Sequence, residues 1–270
     1  MPGVPNDPLR LFSDYVAVTG VARLEPEPQG HPALLGKRLG LLNGSSWITL
    51  WCNYFGRLYL PGVQLVNAGN DAVQLNFMQA HGKGEPCPPL SNVEVFVRTA
   101  RDLVDLAGVD AILITCSTLN RSYAAVAEAV DVPVLQIDRP MMEAAVQREG
   151  KVLVVATHGP TVESTQALLV ETAEQLGLPI TYTGVTAEEA WHRLAAGDVE
   201  GHNTLLAEAI REARGREVLG CVVLAQLSMT VFALSYPDAE AEFGLPVLTS
   251  GQAGFQRAGE ILKGSKGPKV

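Results

Sequence analysis

The sequence predicts an α/β protein of two pseudo-symmetric lobes, each a parallel β-sheet flanked by helices, with the active site in the cleft between them. Three observations point there. Short aliphatic runs alternate with helical patterns from Lys37 onward, which is the signature of parallel strands joined by helical crossovers. Hydrophobic residues make up 47% of the 270 residues but aromatics only 6%, so the core is built from Val, Leu, Ile and Ala, as buried parallel strands require. Third, three segments recur in the same order along the chain.

Taken in order, residues 1–36 contain six prolines and no sustained periodicity, and read as an extended N-terminal arm over the fold or toward a neighbouring subunit. Strands are expected at 38–43, 63–67, 111–115, 134–137, 152–156, 180–183, 219–225 and 247–249, each a short aliphatic run. Helices are expected at 92–106, where Val95, Val97, Ala100, Val104 and Leu106 lie among charges, at 161–176, and over 187–214 as two helices broken near Gly197. The repeat pairs 36–45 with 150–159, 110–116 with 220–226, and 132–135 with 245–248, at separations of 114, 110 and 113 residues. One match is chance for aliphatic strands, whereas three in register indicate a duplicated α/β unit. The expected division is lobe 1 at 37–140 plus 247–270 and lobe 2 at 141–246.

Composition narrows the function. Twenty Lys plus Arg against 29 Asp plus Glu leave a net charge of −9, and the only dense basic run is the short tail at 263–269, so nucleic acid is not an expected partner. The longest nearly apolar stretch, 222–234, contains Gln226 and Ser228 and falls short of the roughly 20 residues that span a bilayer. No membrane segment or secretory signal is read, and a cytoplasmic protein is expected. Cys52, Cys87, Cys116 and Cys221 lack zinc-site spacing, so free thiols and no metal are expected.

Cys116 stands apart from the other three. It ends an apolar run and is followed by Ser117, Thr118 and Asn120, then by the helical pattern 123–129. A thiol at a strand-to-helix turn lies near backbone N–H groups that favour the thiolate, and the same groups hold a carboxylate. A buried cysteine with ordinary capping residues behind it is the alternative reading.

The string Thr115-Cys116-Ser117-Thr118 resembles the first catalytic motif of the aspartate/glutamate racemase superfamily, and Ala156-Thr157-His158-Gly159-Pro160-Thr161-Val162-Glu163-Ser164 resembles its second-lobe Ala-Thr-x-x-x-Thr-x-x-Ser segment. The likeness extends over about residues 36–262 in motif order. It implies a cofactor-independent enzyme in which each lobe lends a cysteine, one thiolate removing the proton next to a carboxylate and the opposite thiol returning one. By that resemblance Ser117, Thr118 and Thr161 contact the carboxylate, and Asn43 to Ser45 match a substrate-contacting loop. Asn120 and Thr157 are further candidates for substrate binding.

The departure from the pattern is at the second cysteine, where this chain has Ala225-Gln226-Leu227-Ser228. A glutamine amide neither accepts nor donates a proton usefully near pH 7. Cys221 is no substitute, since it lies five residues earlier, roughly 16 Å along an extended chain. Three chemistries follow. His158 could serve the second face of a racemase, its neutral pKa suiting proton transfer. The reaction could be one-sided, as in a decarboxylating or eliminating lyase. Or Cys116 could add as a nucleophile to a double bond, as in the maleate isomerase branch, with Gln226 and Ser228 orienting the substrate. A non-catalytic binding protein for a small carboxylate is the reading of another class. The small acid is the expected partner, and a homo-oligomer is compatible with the Trp47–Tyr59 aromatic group as a subunit contact. His192 and His202 make no metal pair and are expected at the surface, and Asp138-Arg139 is expected as an interlobe ion pair.

Overall fold

The computed structural model describes residues 7–19 and 30–264. Residues 1–6, 20–29 and 265–270, which include much of the proline-rich arm and most of the basic tail, lie outside the described residues. In chain order the elements are α1 (Pro8–Thr19), β1 (Arg38–Asn43), α2 (Thr49–Tyr59), β2 (Gln64–Gly69), α3 (Asp71–Gly82), α4 (Leu90–Asp105), β3 (Ala111–Ile114), α5 (Tyr123–Ala129), β4 (Val134–Gln136) and α6 (Arg139–Val146). They continue with β5 (Lys151–Ala156), α7 (Gly159–Leu176), β6 (Tyr182–Thr186), α8 (Glu188–Ala195), α9 (Val199–Arg216), β7 (Leu219–Leu224), α10 (Phe232–Ser235), α11 (Ala239–Phe243), β8 (Val247–Thr249) and α12 (Ser250–Gly264).

The strands form two four-stranded parallel sheets with the same permuted order, β2-β1-β3-β4 and β6-β5-β7-β8. Central strands are the most apolar because both of their faces are covered by helices. Five consecutive residues of β1 and of β5 are buried, as are all four of β3. In the second sheet the two-residue period sorts side chains to opposite faces. Val152, Val154, Cys221 and Val223 pack on α6 and α7, while Leu153, Val155, Val222 and Leu224 pack on α9 and α10. In the first sheet Leu42, Ile112 and Ile114 meet Phe77 of α3 and Phe96, Ala100 and Leu103 of α4. The described residues divide into one compact unit at 7–137 with 254–264 and another at 138–253.

Main-chain bonds show that the two sheets are copies. Thr115 N donates to Leu42 O at 3.1 Å in one, and Ala225 N donates to Val155 O at 3.0 Å in the other. Likewise Ile112 N bonds Pro133 O at 2.8 Å and Val222 N bonds Pro246 O at 2.9 Å. These pairs correct the sequence match by one residue, for Leu42 corresponds to Val155, a separation of 113 and not 114. At the start of the second sheet the pairing is irregular, consecutive Lys151 and Val152 facing Leu219 and Cys221, which leaves Gly220 of β7 as the extra residue.

Other expectations are revised by tertiary pairing. Residues 8–19, read as part of an extended arm, form a helix. Its start is supplied by the Asp7 carboxylate, which accepts from Arg10 N at 3.0 Å, and by Pro8 at the first position. The strand at 247–249, assigned above to lobe 1, pairs with β7 and completes the second sheet, and only from Gly254 does α12 belong with the first unit. Gly254 packs on Ile137 so closely that a β-carbon would lie 2.7 Å from the Ile137 carbonyl oxygen. β2 and β6 begin later than expected and run to Gly69 and Thr186, because pairing with the longer central strand extends them. The break in 187–214 is at Gly197, with φ +83°, after which Asp198 caps α9. Arg139 pairs with Glu143 at 3.2 Å and with Gln175 inside the second unit. His202 is fully buried and not on the surface, since it shares the inward face of α9 with Asn203, Leu206, Ala207 and Ile210.

Candidate active site

In an open parallel sheet the side chains that follow the carboxyl ends of the strands are the ones free to do chemistry. Each unit places its candidate residues there. In the first unit Cys116 leaves β3 in an extended conformation, φ −102° and ψ 111°, and a 3-10 turn at Ser117–Ser122 precedes the short α5. Leu119 N donates to Cys116 O at 3.1 Å, closing that turn. The Sγ of Cys116 lies 3.1 Å from Oγ1 of Thr118, a distance at which hydroxyl and sulfur share a hydrogen. Gly44 closes over the thiol from the loop after β1, where a β-carbon would stand only 2.7 Å from Sγ. Glycine is therefore required at 44 for contact with the sulfur, not for an unusual backbone angle.

Behind the thiol is a buried chain of amides. Asn43, at 1% exposure, accepts from Thr115 Oγ1 at 2.5 Å and from Cys52 Sγ at 3.3 Å, and donates to Asn67 Oδ1 at 3.0 Å. Asn67 in turn donates to Asn53 Oδ1 at 2.9 Å. The Asn43 side chain thus fixes the loop that carries Gly44 and Ser45. Ser45 is buried, and its carbonyl carbon and oxygen lie close against Gly69. Ser117 and Thr118 are nearly buried, and Asn120 receives Gln136 Nε2 at its carbonyl oxygen, 2.8 Å.

In the second unit Gln226 occupies the place that Cys116 has in the first. It too leaves its strand extended, φ −140° and ψ 140°, and enters a 3-10 turn at Leu227–Val231, closed by Met229 N to Gln226 O at 2.9 Å. Its Oε1 accepts from Thr157 N and from Thr157 Oγ1, both at 2.8 Å. Its Nε2 stands 3.3 Å from Nε2 of His158. His158 precedes α7, its carbonyl accepting from Thr161 N and Val162 N, and its ring meets the Trp191 ring edge-on at 5.1 Å. Burial lowers the His158 pKa, with a hydrogen bond to the Thr157 backbone and the nearby Glu188 opposing. Thr161 and Ser228 are buried at the same strand ends.

The other thiols separate cleanly. Burial pushes the Cys52 thiol far up and that of Cys221 up to about 11, so both are packing residues at neutral pH. Trp191 was not anticipated from sequence, and Gly44 was read only as part of the Asn43 to Ser45 loop, not for its packing on the thiol. Their roles depend on contacts made by a neighbouring loop and by α8, and no local motif announces them.

Known proteins share the fold. Among curated proteins none matches the chain in sequence. Its fold is similar to the glutamate racemase isoform RacE1 of Bacillus anthracis, at TM-score 0.62 and 16% identity over 85% of this chain and 82% of that one. An aspartate racemase homologue from Pyrococcus horikoshii is similar at 0.61 and 18%, over 84% and 99%. A glycine-to-cysteine mutant of arylmalonate decarboxylase is similar at 0.57 and 19%, over 85% and 94%. The family model for Asp/Glu/Hydantoin racemase matches residues 90–258, a span that contains Cys116, the Thr157–Thr161 segment and Gln226, and the chain belongs to that family.

Proposed function

We propose that this chain is a cofactor-independent isomerase, of racemase or epimerase type, that moves a proton at the carbon next to the carboxylate of a small acid. The observation that supports it is Cys116, presented at the end of β3 with the Thr118 hydroxyl 3.1 Å from its sulfur and Gly44 packed against it. Cys116 acts as the thiolate base, Ser117, Thr118 and Thr161 bind the carboxylate, and Asn43 holds the loop from beneath. Ser45 and Asn120 in the first unit, and Thr157 and Ser228 in the second, are the further substrate-binding residues of this reading. His158, held by Gln226, carries the second proton in place of a second thiol. The net charge of −9 favours a small-molecule partner over nucleic acid.

A one-base lyase or decarboxylase is the second reading, and Gln226 is the observation that favours it. An amide in the second thiol's place leaves one sulfur to deliver one proton to one face. Incubation in D₂O with D- and L-glutamate, D- and L-aspartate, allantoin and a phenylmalonate, followed by ¹H NMR and chiral separation, decides between them. The isomerase reading expects deuterium at the α-carbon with loss of optical purity. Release of CO₂ with a single product enantiomer favours the lyase. Conversion that persists unchanged in Cys116→Ala removes both.

A further inference from the structure

We infer that Gln226 is a positioning residue that fixes His158 as the neutral tautomer protonated at Nδ1, leaving Nε2 as a proton acceptor. The main-chain N–H of Thr157 can only donate, so the Gln226 atom 2.8 Å from it is the carbonyl oxygen Oε1. The other end of that amide is therefore an NH₂ group, and it faces Nε2 of His158 at 3.3 Å. A donor facing a ring nitrogen requires a lone pair there, which places the ring hydrogen on Nδ1. Nδ1 in turn lies 3.5 Å from Thr157 Oγ1, and that hydroxyl gives its own hydrogen to Gln226 Oε1 at 2.8 Å. The three residues close a ring in which each passes one hydrogen in the same sense. Protonation at Nε2, in the other tautomer or in the imidazolium, would set N–H against N–H.

Of the surroundings, burial acts in the same direction. Burial disfavours the charged ring, and the Trp191 ring contributes no acceptor. Glu188 is the charged group that opposes, favouring the imidazolium. The tautomer stands on the geometry of the second unit alone, while its catalytic meaning rests on the isomerase reading. There, the Nε2 lone pair takes the proton of the breaking C–H bond and the ring becomes imidazolium. The Cys116 thiol gives its proton to the same carbon and becomes thiolate; the reverse direction starts from that thiolate as base and the imidazolium as donor, and exchange with water restores the neutral pair. The Gln226–His158 contact is long for a hydrogen bond, so the lone pair is released to substrate at small cost.

The test is a two-bond ¹H–¹⁵N correlation spectrum of the full chain labelled with ¹⁵N-histidine, with the His158 signals identified by their loss in His158→Asn. The unmutated protein is expected to show the Nδ1–H pattern. In Gln226→Met the pattern shifts toward Nε2–H, the commoner form of a free imidazole. In Gln226→Glu, whose carboxylate accepts from Nε2–H, the imidazolium persists above the ordinary histidine pKa. An Nε2–H pattern in the unmutated chain overturns the inference whether or not either variant folds, and so do unchanged His158 signals in both variants when circular dichroism shows them folded. An Nδ1–H spectrum in a chain whose Cys116→Ala variant still turns over substrate sinks the isomerase reading and leaves the tautomer standing.

Discussion

A thiol that acts must be reachable, and the four cysteines differ on that point. Cys52 and Cys221 are fully buried with raised thiol pKa values, whereas Cys87 and Cys116 are partly exposed. Titration with a thiol reagent near pH 8 is expected to modify Cys87 and Cys116 in the folded protein and the other two only after unfolding; rapid loss of the Cys221 thiol in folded protein contradicts the assignment. Replacing Cys116 with Ala is expected to lower turnover by about 10²–10⁴-fold, the usual effect of removing a general acid or base. Gly44→Ala tests the packing around the sulfur. Its β-carbon would stand 2.7 Å from Sγ, so the thiol must move off Thr118. The expected result is a large fall in turnover with a stability loss of about 1–3 kcal/mol, seen by comparing kinetics with thermal melting.

Among the elements, α9 carries the clearest consequence. His202 is wholly buried on its inward face, with Nδ1 2.8 Å from Ala190 O and no partner for Nε2 among the described residues. Burial lowers its pKa, against the Ala190 hydrogen bond. A histidine depressed in the folded state binds its proton more readily when unfolded. Its contribution to stability is thus complete above the unfolded value of about 6.5 and is lost as pH falls through the folded value. Urea unfolding at pH 7.5 and pH 5 is expected to show a drop in stability at the lower pH that His202→Asn diminishes; an equal drop in the variant would assign the effect elsewhere. Sequence periodicity located α7 and the pair α8 and α9 well, because apolar spacing and the Gly197 break are local signals. It did not reveal α1 or α3. The buried face of α3 is only Val73, Phe77 and Ala80, and no residue of α1 is buried.

For the whole molecule, the duplicated sheets mean that each unit has its own apolar core. Cores that are separate favour separate unfolding, so scanning calorimetry is expected to resolve two transitions. Both histidines with lowered pKa, His158 and His202, belong to the unit at 138–253, and acidification from pH 7.5 to 5 is expected to move that unit's transition downward more than the other. A single transition at all pH values would show instead that the units unfold together. The family match and the equivalent places of Cys116 and Gln226 carry one further lesson at this scale. A duplicated scaffold keeps its backbone, down to the same 3-10 turn after the third strand, while one copy exchanges a thiol for an amide.

The sequence by itself determined the alternation of strands and helices, the repeat, and the position of Cys116 at a strand end, because apolar periodicity and turn residues are local. It also showed that no second thiol follows the corresponding strand. Tertiary structure alone decided the one-residue shift in the repeat, the place of residues 247–249 in the second sheet, and the burial of His202. It alone revealed the ring linking Gln226, Thr157 and His158. Those features depend on hydrogen bonds between segments dozens of residues apart, whose partners no local spacing can identify.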